Sequence, residues 1–212
     1  MSFALGIKIQ LFDTVAGPTL ELVRQGKVDF AVTARLDSPE EFETQPLFNE
    51  PFFMVCKPDH PLAKLNLTSL RKLKGCHYIH TTRTGSVWHW VEPHLQDVGQ
   101  IDTGFEAGNL ETLAGLISNG FGVSVVPGFA IDQFRRRCLS AVRIDKRQLT
   151  RPLLMVKRRG FRLSIAAQEL SRLIASSPPR FVVARAEAQA SCRVSDTVAL
   201  RTVGHASVRR KD

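Results

Sequence analysis

The feature that most constrains this chain is a repeated switch from helix-like to strand-like periodicity, with a glycine at each switch. In TLELVRQGKVDFAVT (19–33), apolar residues at helical spacing run into Gly26, and the strand-like VDFAVT follows. In NLETLAGLISNGFGVSVVPGF (109–129), Leu110, Leu113, Leu116 and Ile117 share one helical face, Gly120 stops the helix, and Val123–Val126 reads as a short buried strand. Glycine accepts the left-handed backbone that closes a helix, and a β-branched apolar run suits a strand covered on both sides. Alternation of this kind specifies an α/β protein with crossover connections.

Reading along the chain fills in the series. IKIQLF (7–12) alternates like a half-buried strand, and with 19–33 it predicts a βαβ unit with parallel strands. FFMVCK (52–57) is extended and ends at Pro58. SLRKLK (69–74) reads as a small helix capped by Thr68 and stopped by Gly75. HYIHT (77–81) and IDTGFEA (101–107) read as strands around a helix over WHWVEPHLQ that Pro93 shortens. Asn109 caps the next helix. Gly122 allows close backbone approach, and Pro127, which has no N–H to give a ladder, ends the strand. After a charged connection, LLMVK (153–157) is a strand and Ser164 caps the helix SIAAQELSRLI (164–174). The order predicts two α/β lobes, joined by FFMVCK outbound and LLMVK on the return. A chain of that design binds ligands in the cleft between lobes, where strand ends and helix starts converge.

Charge and cysteine usage remove several alternatives. The net charge of +9 is concentrated in residues 134–162, which carry eleven Lys/Arg against Asp145 alone, whereas residues 1–133 sum to −5. RRRC (135–138) has no interleaved aromatics and reads as a solvated helix end, where cations suit the dipole. Cys56, Cys76, Cys138 and Cys192 are widely spaced with no ligand histidine near them, so they read as small buried or idle thiols of a reducing compartment. No apolar run reaches the ~20 residues of a membrane span, and the first residues carry no secretory pattern, so a cytoplasmic location is expected. No nucleophile–base set, phosphate-cradling loop or dinucleotide fingerprint can be assembled, so no enzyme activity, cofactor or metal is expected.

Four stretches carry a family resemblance. VRQGKVDFAV resembles the L-x-x-G-x-x-D-x-A-(I/V) element of LysR-type transcriptional regulators. FFMVCKPDHPLA resembles their strand followed by an H-P-L-A turn. ETLAGLISNGFGVSVVP is similar to their L-(V/A)-x-x-G-x-G-(I/V)-x-x-(L/V)-P signature, and LLMVKRRGFRLSIAAQEL to the closing strand and S-x-A-A helix. The four stand in family order over residues 7–177. The resemblance implies the effector-binding domain: two Rossmann-like lobes with a double crossover, like type 2 periplasmic binding proteins. Residues 1–57 and 152–177 would form lobe I, 58–151 lobe II, and 178–212 a poorly ordered tail. IKIQLFDT looks like the domain's second strand. Lobe I is therefore expected to be incomplete, with an unpaired sheet edge. The winged helix-turn-helix expected to precede it, about a hundred residues by ordinary domain sizes, would be the route to DNA.

The implied ligand is a small organic acid or amino-acid-like effector, and the implied assembly a dimer or tetramer. Hydroxyls and amides at strand ends and helix starts suit a carboxylate. The expected effector set is Thr14, Thr33, Thr81, Thr82, Ser86, Asn109 and Pro127, with Thr84 in the same loop and Arg35 or Arg83 able to pair with an anion. Each of these residue types also serves as an ordinary cap, turn or surface charge. A free-standing solute-binding protein and an inactive gene fragment stand as alternatives.

Overall fold

The computed structural model describes residues 8–14, 16–145, 147–179 and 181. In chain order the elements are α1 (Ala16–Arg24), β1 (Ala31–Thr33), β2 (Phe42–Cys56), β3 (Leu67–Thr68), β4 (His77–Thr81), α2 (Ser86–Val91), β5 (Ile101–Ala107), α3 (Leu110–Ser118), β6 (Ser124–Pro127), α4 (Ile131–Arg136), β7 (Ser140–Ile144), β8 (Thr150–Arg158) and α5 (Ile165–Ser176), with short 3-10 turns between them. The tail expected over 178–212 lies outside the described residues, apart from 178, 179 and 181.

The organising element is β2, fifteen residues long. Its first part pairs antiparallel with β8, from Phe42 opposite Arg158 to Pro51 opposite Thr150, with a register shift between Pro46 and Phe48. β1 completes that edge, antiparallel to β8. The second part of β2, Phe52–Cys56, leaves β8 and pairs antiparallel with both β6 and β7. One continuous strand therefore serves two neighbourhoods. Phe52, Met54 and Cys56 face a core with Leu73, Tyr78, Leu95, Val125 and Ile144. Val55, on the other face, joins Ile79, Leu113, Ile117, Val126 and Phe134. This burial on both sides is why FFMVC reads as an unbroken apolar run rather than an alternating one. A third, smaller core gathers Leu20 and Val23 of α1 with Ala31, Phe42 and Val156.

The glycine-punctuated segments fold as their sequences dictate. Gly26, Gly75 and Gly120 all have left-handed φ, at 67°, 72° and 80°. β4 and β5 form a parallel two-stranded sheet, with α2 in the crossover between them. α3 starts at Asn109, whose side chain accepts from the Glu111 N–H at 2.6 Å. After Gly122 the chain bridges to β4: the Val123 N–H donates to the His77 carbonyl (2.8 Å) and the Ile79 N–H to the Val123 carbonyl (2.9 Å). Pro127 is the last residue of β6. α5 is capped by Ser164, which accepts from the Ala167 N–H. α2 gives way to a 3-10 turn, Glu92–His94, at Pro93.

Three expectations are corrected. Residues 8–12 of IKIQLF form no strand, and Leu11 is 88% exposed. A strand needs a ladder, and β1 pairs only with β8, so the parallel unit expected with 28–33 is absent among the described residues. SLRKLK forms a single 3-10 turn, Leu70–Leu73, with Ser69 at its start and Thr68 in β3. Its two buried leucines are three apart, the 3-10 repeat, and Gly75 leaves no room for a longer helix. The charged connection after Gly128 contains α4 and β7. SAVRI buries Ser140, Val142 and Ile144 in strict alternation, and the surrounding arginines hide that period. Cys56 and Cys76 are free thiols.

Candidate functional site

A cleft of about 470 Å³ opens between two sets of residues far apart in sequence. Ala16, Gly17 and Pro18 of α1 and Arg35 and Asp37 of the loop after β1 form one wall. Arg83, Thr84, Ser86 and His89, from the β4–α2 loop and α2, form the other. The volume is that of a small-molecule site.

Local chemistry fixes the first wall. The Thr33 hydroxyl donates to the Arg35 carbonyl (2.9 Å) and accepts from the Arg35 N–H (3.2 Å), so the loop turns as β1 ends. Thr33 is buried and spends its hydrogen bonds on that turn. Arg35 then reaches out: its Nε donates to Asp37 at 3.1 Å and its Nη1 meets His89 Nε2 at 2.5 Å. A guanidinium has no lone pair to offer, so His89 accepts through Nε2. The Trp90 indole N–H donates to the Ala34 carbonyl (3.3 Å) and makes a second link between the walls.

The second wall is a tight turn. The Gly85 N–H donates to the Thr82 carbonyl (2.9 Å), and the Thr82 and Thr84 hydroxyls lie 3.3 Å apart. A Cβ on Gly85 would meet the Thr82 carbonyl oxygen at 3.1 Å, so the turn favours glycine there. Arg83 stacks over Trp88, 5.2 Å from the ring centroid, and pairs with Glu106 at 3.5 Å. Ser86 opens α2, which has only six residues, so this wall presents side chains to the cleft rather than a substantial helix dipole. The charged side chains lining the cleft are two arginines against one aspartate.

Behind this wall stands a buried ion pair. Arg151 of β8 donates through Nε to Glu50 of β2 (2.6 Å) and through Nη1 to Ser86 Oγ (2.8 Å). The other Glu50 oxygen accepts from the Phe129 N–H (2.8 Å). Glu50 is 0% exposed and Arg151 8%.

The residues expected from sequence distribute unevenly around this cleft. Ser86 lines it, as do Thr84, Arg35 and Arg83, while Thr82 holds Thr84 and Thr33 holds Arg35. Thr81 lies in β4 and pairs with Ala107. Thr14 is exposed two residues before Ala16, and its carbonyl accepts from the Thr19 hydroxyl. Asn109 is spent on its cap, and Pro127 is buried opposite Phe52. Sequence reading missed Asp37, His89, Glu50 and Arg151. Glu50, immediately before a buried apolar run, was the available signal for a charge needing a partner. Arg151 was concealed within a basic block. Among the described residues no cluster of potential ligands can hold a metal ion, and no helix is long and apolar enough to cross a membrane.

The LysR substrate binding domain model matches residues 4–178, most of the chain. The chain belongs to that family. It is 27% identical over 169 residues to the HTH-type transcriptional regulator YbhD of Escherichia coli K12, covering 79% of this chain and 53% of that protein. It is 26% identical over 136 residues to the DNA-binding transcriptional dual regulator OxyR of the same strain, covering 62% and 43%. These relatives are transcriptional regulators, and the chain spans about half their length. The effector binding domain of QuiR in complex with shikimate superposes with a TM-score of 0.65 at 17% identity, over 78% of both chains. The reduced form of OxyR gives 0.65 at 24%, over 79% of both. The two-lobed α/β fold expected from element order, and the periplasmic-binding-protein-like class implied by the family resemblance, agree with these matches.

Proposed function

We propose that this chain is the effector-sensing part of a LysR-type transcriptional regulator, and that the cleft between α1 and α2 receives a small organic anion. The observation that carries the reading is the convergence of Arg35, Arg83, Thr84 and Ser86 on one cleft of small-molecule size. Every one of these groups can donate a hydrogen bond, and two are cationic. A carboxylate or similar acceptor-rich head answers such a set. The walls belong to the two lobes assigned from sequence: α1 and the Arg35 loop to lobe I (1–57 with 152–177), the β4–α2 turn to lobe II (58–151). Arg35–His89 and Trp90–Ala34 already link them. A ligand that binds the closed arrangement better than the open one shifts lobe orientation by its difference in affinity. In the whole regulator, that shift would pass through a dimer or tetramer in the cytoplasm to DNA, held by a winged helix-turn-helix domain outside this chain. The reading is of a sensor rather than an enzyme, and it needs no cofactor.

The test is a thermal-shift screen of the 212-residue chain against small mono- and dicarboxylates, each paired with its neutral amide. Acids that raise Tm where their amides do not support the reading, as does loss of that response in Arg35→Gln and Arg83→Gln. Equal responses to acid and amide contradict it.

A further inference from the structure

We infer that Arg151, held in place by Glu50, is the positioning residue of this cleft: it occupies one lone pair of the Ser86 hydroxyl and leaves its O–H free to donate into the cleft. The inference rests on the cleft reading above for what Ser86 meets, but the arrangement itself stands on geometry.

Arg151 makes its two contacts from one rigid fork, Nε to Glu50 at 2.6 Å and Nη1 to Ser86 Oγ at 2.8 Å. A guanidinium donates and never accepts, so Ser86 Oγ must be the acceptor. Its hydroxyl hydrogen is then left over, and among the described residues no group accepts it, although Ser86 lines the cleft. A serine without such a neighbour can rotate to donate or to accept. This one cannot turn its hydrogen toward Arg151, so its O–H is held ready for an acceptor on the ligand.

The setting argues against packing as the whole explanation. Glu50 is fully buried on β2, and removing two charges from water costs more than an apolar pair of the same size would. What the ion pair supplies is direction. Glu50 is itself aimed by the Phe129 N–H in the turn after β6, so β2, β8, α2 and that turn converge on one serine hydroxyl. Lysine at position 151 would keep the charge beside Glu50 but lacks the planar fork that reaches both partners.

The experiment uses the 212-residue chain and two readouts. The first needs no ligand: the guanidinium resonances of Arg151 in a 15N-arginine-labelled sample. Slow exchange of its Nη1 protons, lost in Ser86→Ala, is expected. Exchange as fast as at a solvent-exposed arginine in the unaltered chain overturns the inference. The second is a titration with inorganic sulfate followed at the Ser86 amide. Ser86→Ala and Arg151→Lys are each expected to weaken sulfate binding by roughly ten- to a hundredfold, the scale of one hydrogen bond to a charged group. The double variant is expected to be no weaker than Ser86→Ala, because Arg151 acts through Ser86. Effects of the two changes that multiply, or an Arg151→Lys chain that binds sulfate as the unaltered one does, overturn the positioning role. If the unaltered chain ignores sulfate while Arg151 shows the protected resonance, the anion reading of the cleft fails and the positioning of Ser86 survives.

Discussion

Replacing Gly122 with alanine tests the structural reading of the glycine pair in ISNGFGVSVVP. A Cβ at Gly122 would lie 2.5 Å from the His77 carbonyl oxygen and 3.0 Å from its carbon. Both are backbone atoms of β4 and cannot swing aside. That same oxygen accepts from the Val123 N–H at 2.8 Å, and the Val123 carbonyl accepts from the Ile79 N–H at 2.9 Å. Relief of the clash must separate β6 from β4 and stretch both bonds. Overpacking costs about 1–3 kcal/mol, and each weakened backbone bond up to about 1 kcal/mol more, so Gly122→Ala should destabilise by about 2–4 kcal/mol. Gly120 makes the comparison. It has φ 80°, yet a Cβ there meets only the Lys57 Cδ at 3.9 Å. Its replacement by alanine costs the left-handed backbone alone, about 1–2 kcal/mol. Equilibrium urea unfolding, followed by fluorescence and circular dichroism together, measures both variants. The expected order is Gly122→Ala worse than Gly120→Ala. A Gly122→Ala chain as stable as the unaltered one, or more stable than Gly120→Ala, would refute the close approach of β6 to β4.

Other outcomes follow from the same structure. Phe134→Ala removes a fully buried ring from the core around Leu113 and Ile117 and should cost about 3–5 kcal/mol in the same urea assay. Asn109→Ala should cost about 1 kcal/mol through loss of the α3 cap, and leave the response to small acids unchanged, because the Asn109 side chain is spent on Glu111 N–H outside the cleft. Burial pushes the Cys56 thiol up to about 12, so native iodoacetamide labelling at pH 8 should modify the less buried Cys76 first and spare Cys56 until the chain unfolds. The Lys157 ammonium and the Gly160 N–H hold the Glu43 carboxyl below its ordinary range. Its stabilisation is therefore present above the unfolded-state value and lost as pH falls through the folded one, so Glu43→Gln should lower Tm at pH 7 and leave it unaltered in strong acid.

Elements whose signals are local were legible in the sequence. Caps at Asn109 and Ser164, stops at Gly26 and Gly120, and the end of β6 at Pro127 each depend on one residue's own chemistry, and each stands where the residues put it. Elements that depend on neighbours were harder to read. IKIQLF has the alternation of a strand, but alternation gives no hydrogen-bond partner, and residues 8–12 lie unpaired. SAVRI has the same alternation and does pair, with Phe53–Cys56 of β2, yet arginines around it masked the period. The site divides in the same way. Ser86, Thr84 and the arginines near them could be anticipated because a strand-to-helix turn exposes hydroxyls and charges. His89 is 54 residues from Arg35 and meets it only through the fold, and Glu50 and Arg151 are 101 residues apart along the chain. No spacing rule links such a pair before the β2–β8 ladder is known.

The most direct measurement of the central claim is a crystal structure of the 212-residue chain grown with the carboxylate that raises its Tm most. The account predicts that acid bound between α1 and α2, its carboxylate accepting from Ser86 Oγ and from Arg35 or Arg83. Density for the acid elsewhere on the molecule, with this cleft holding only solvent, would contradict it.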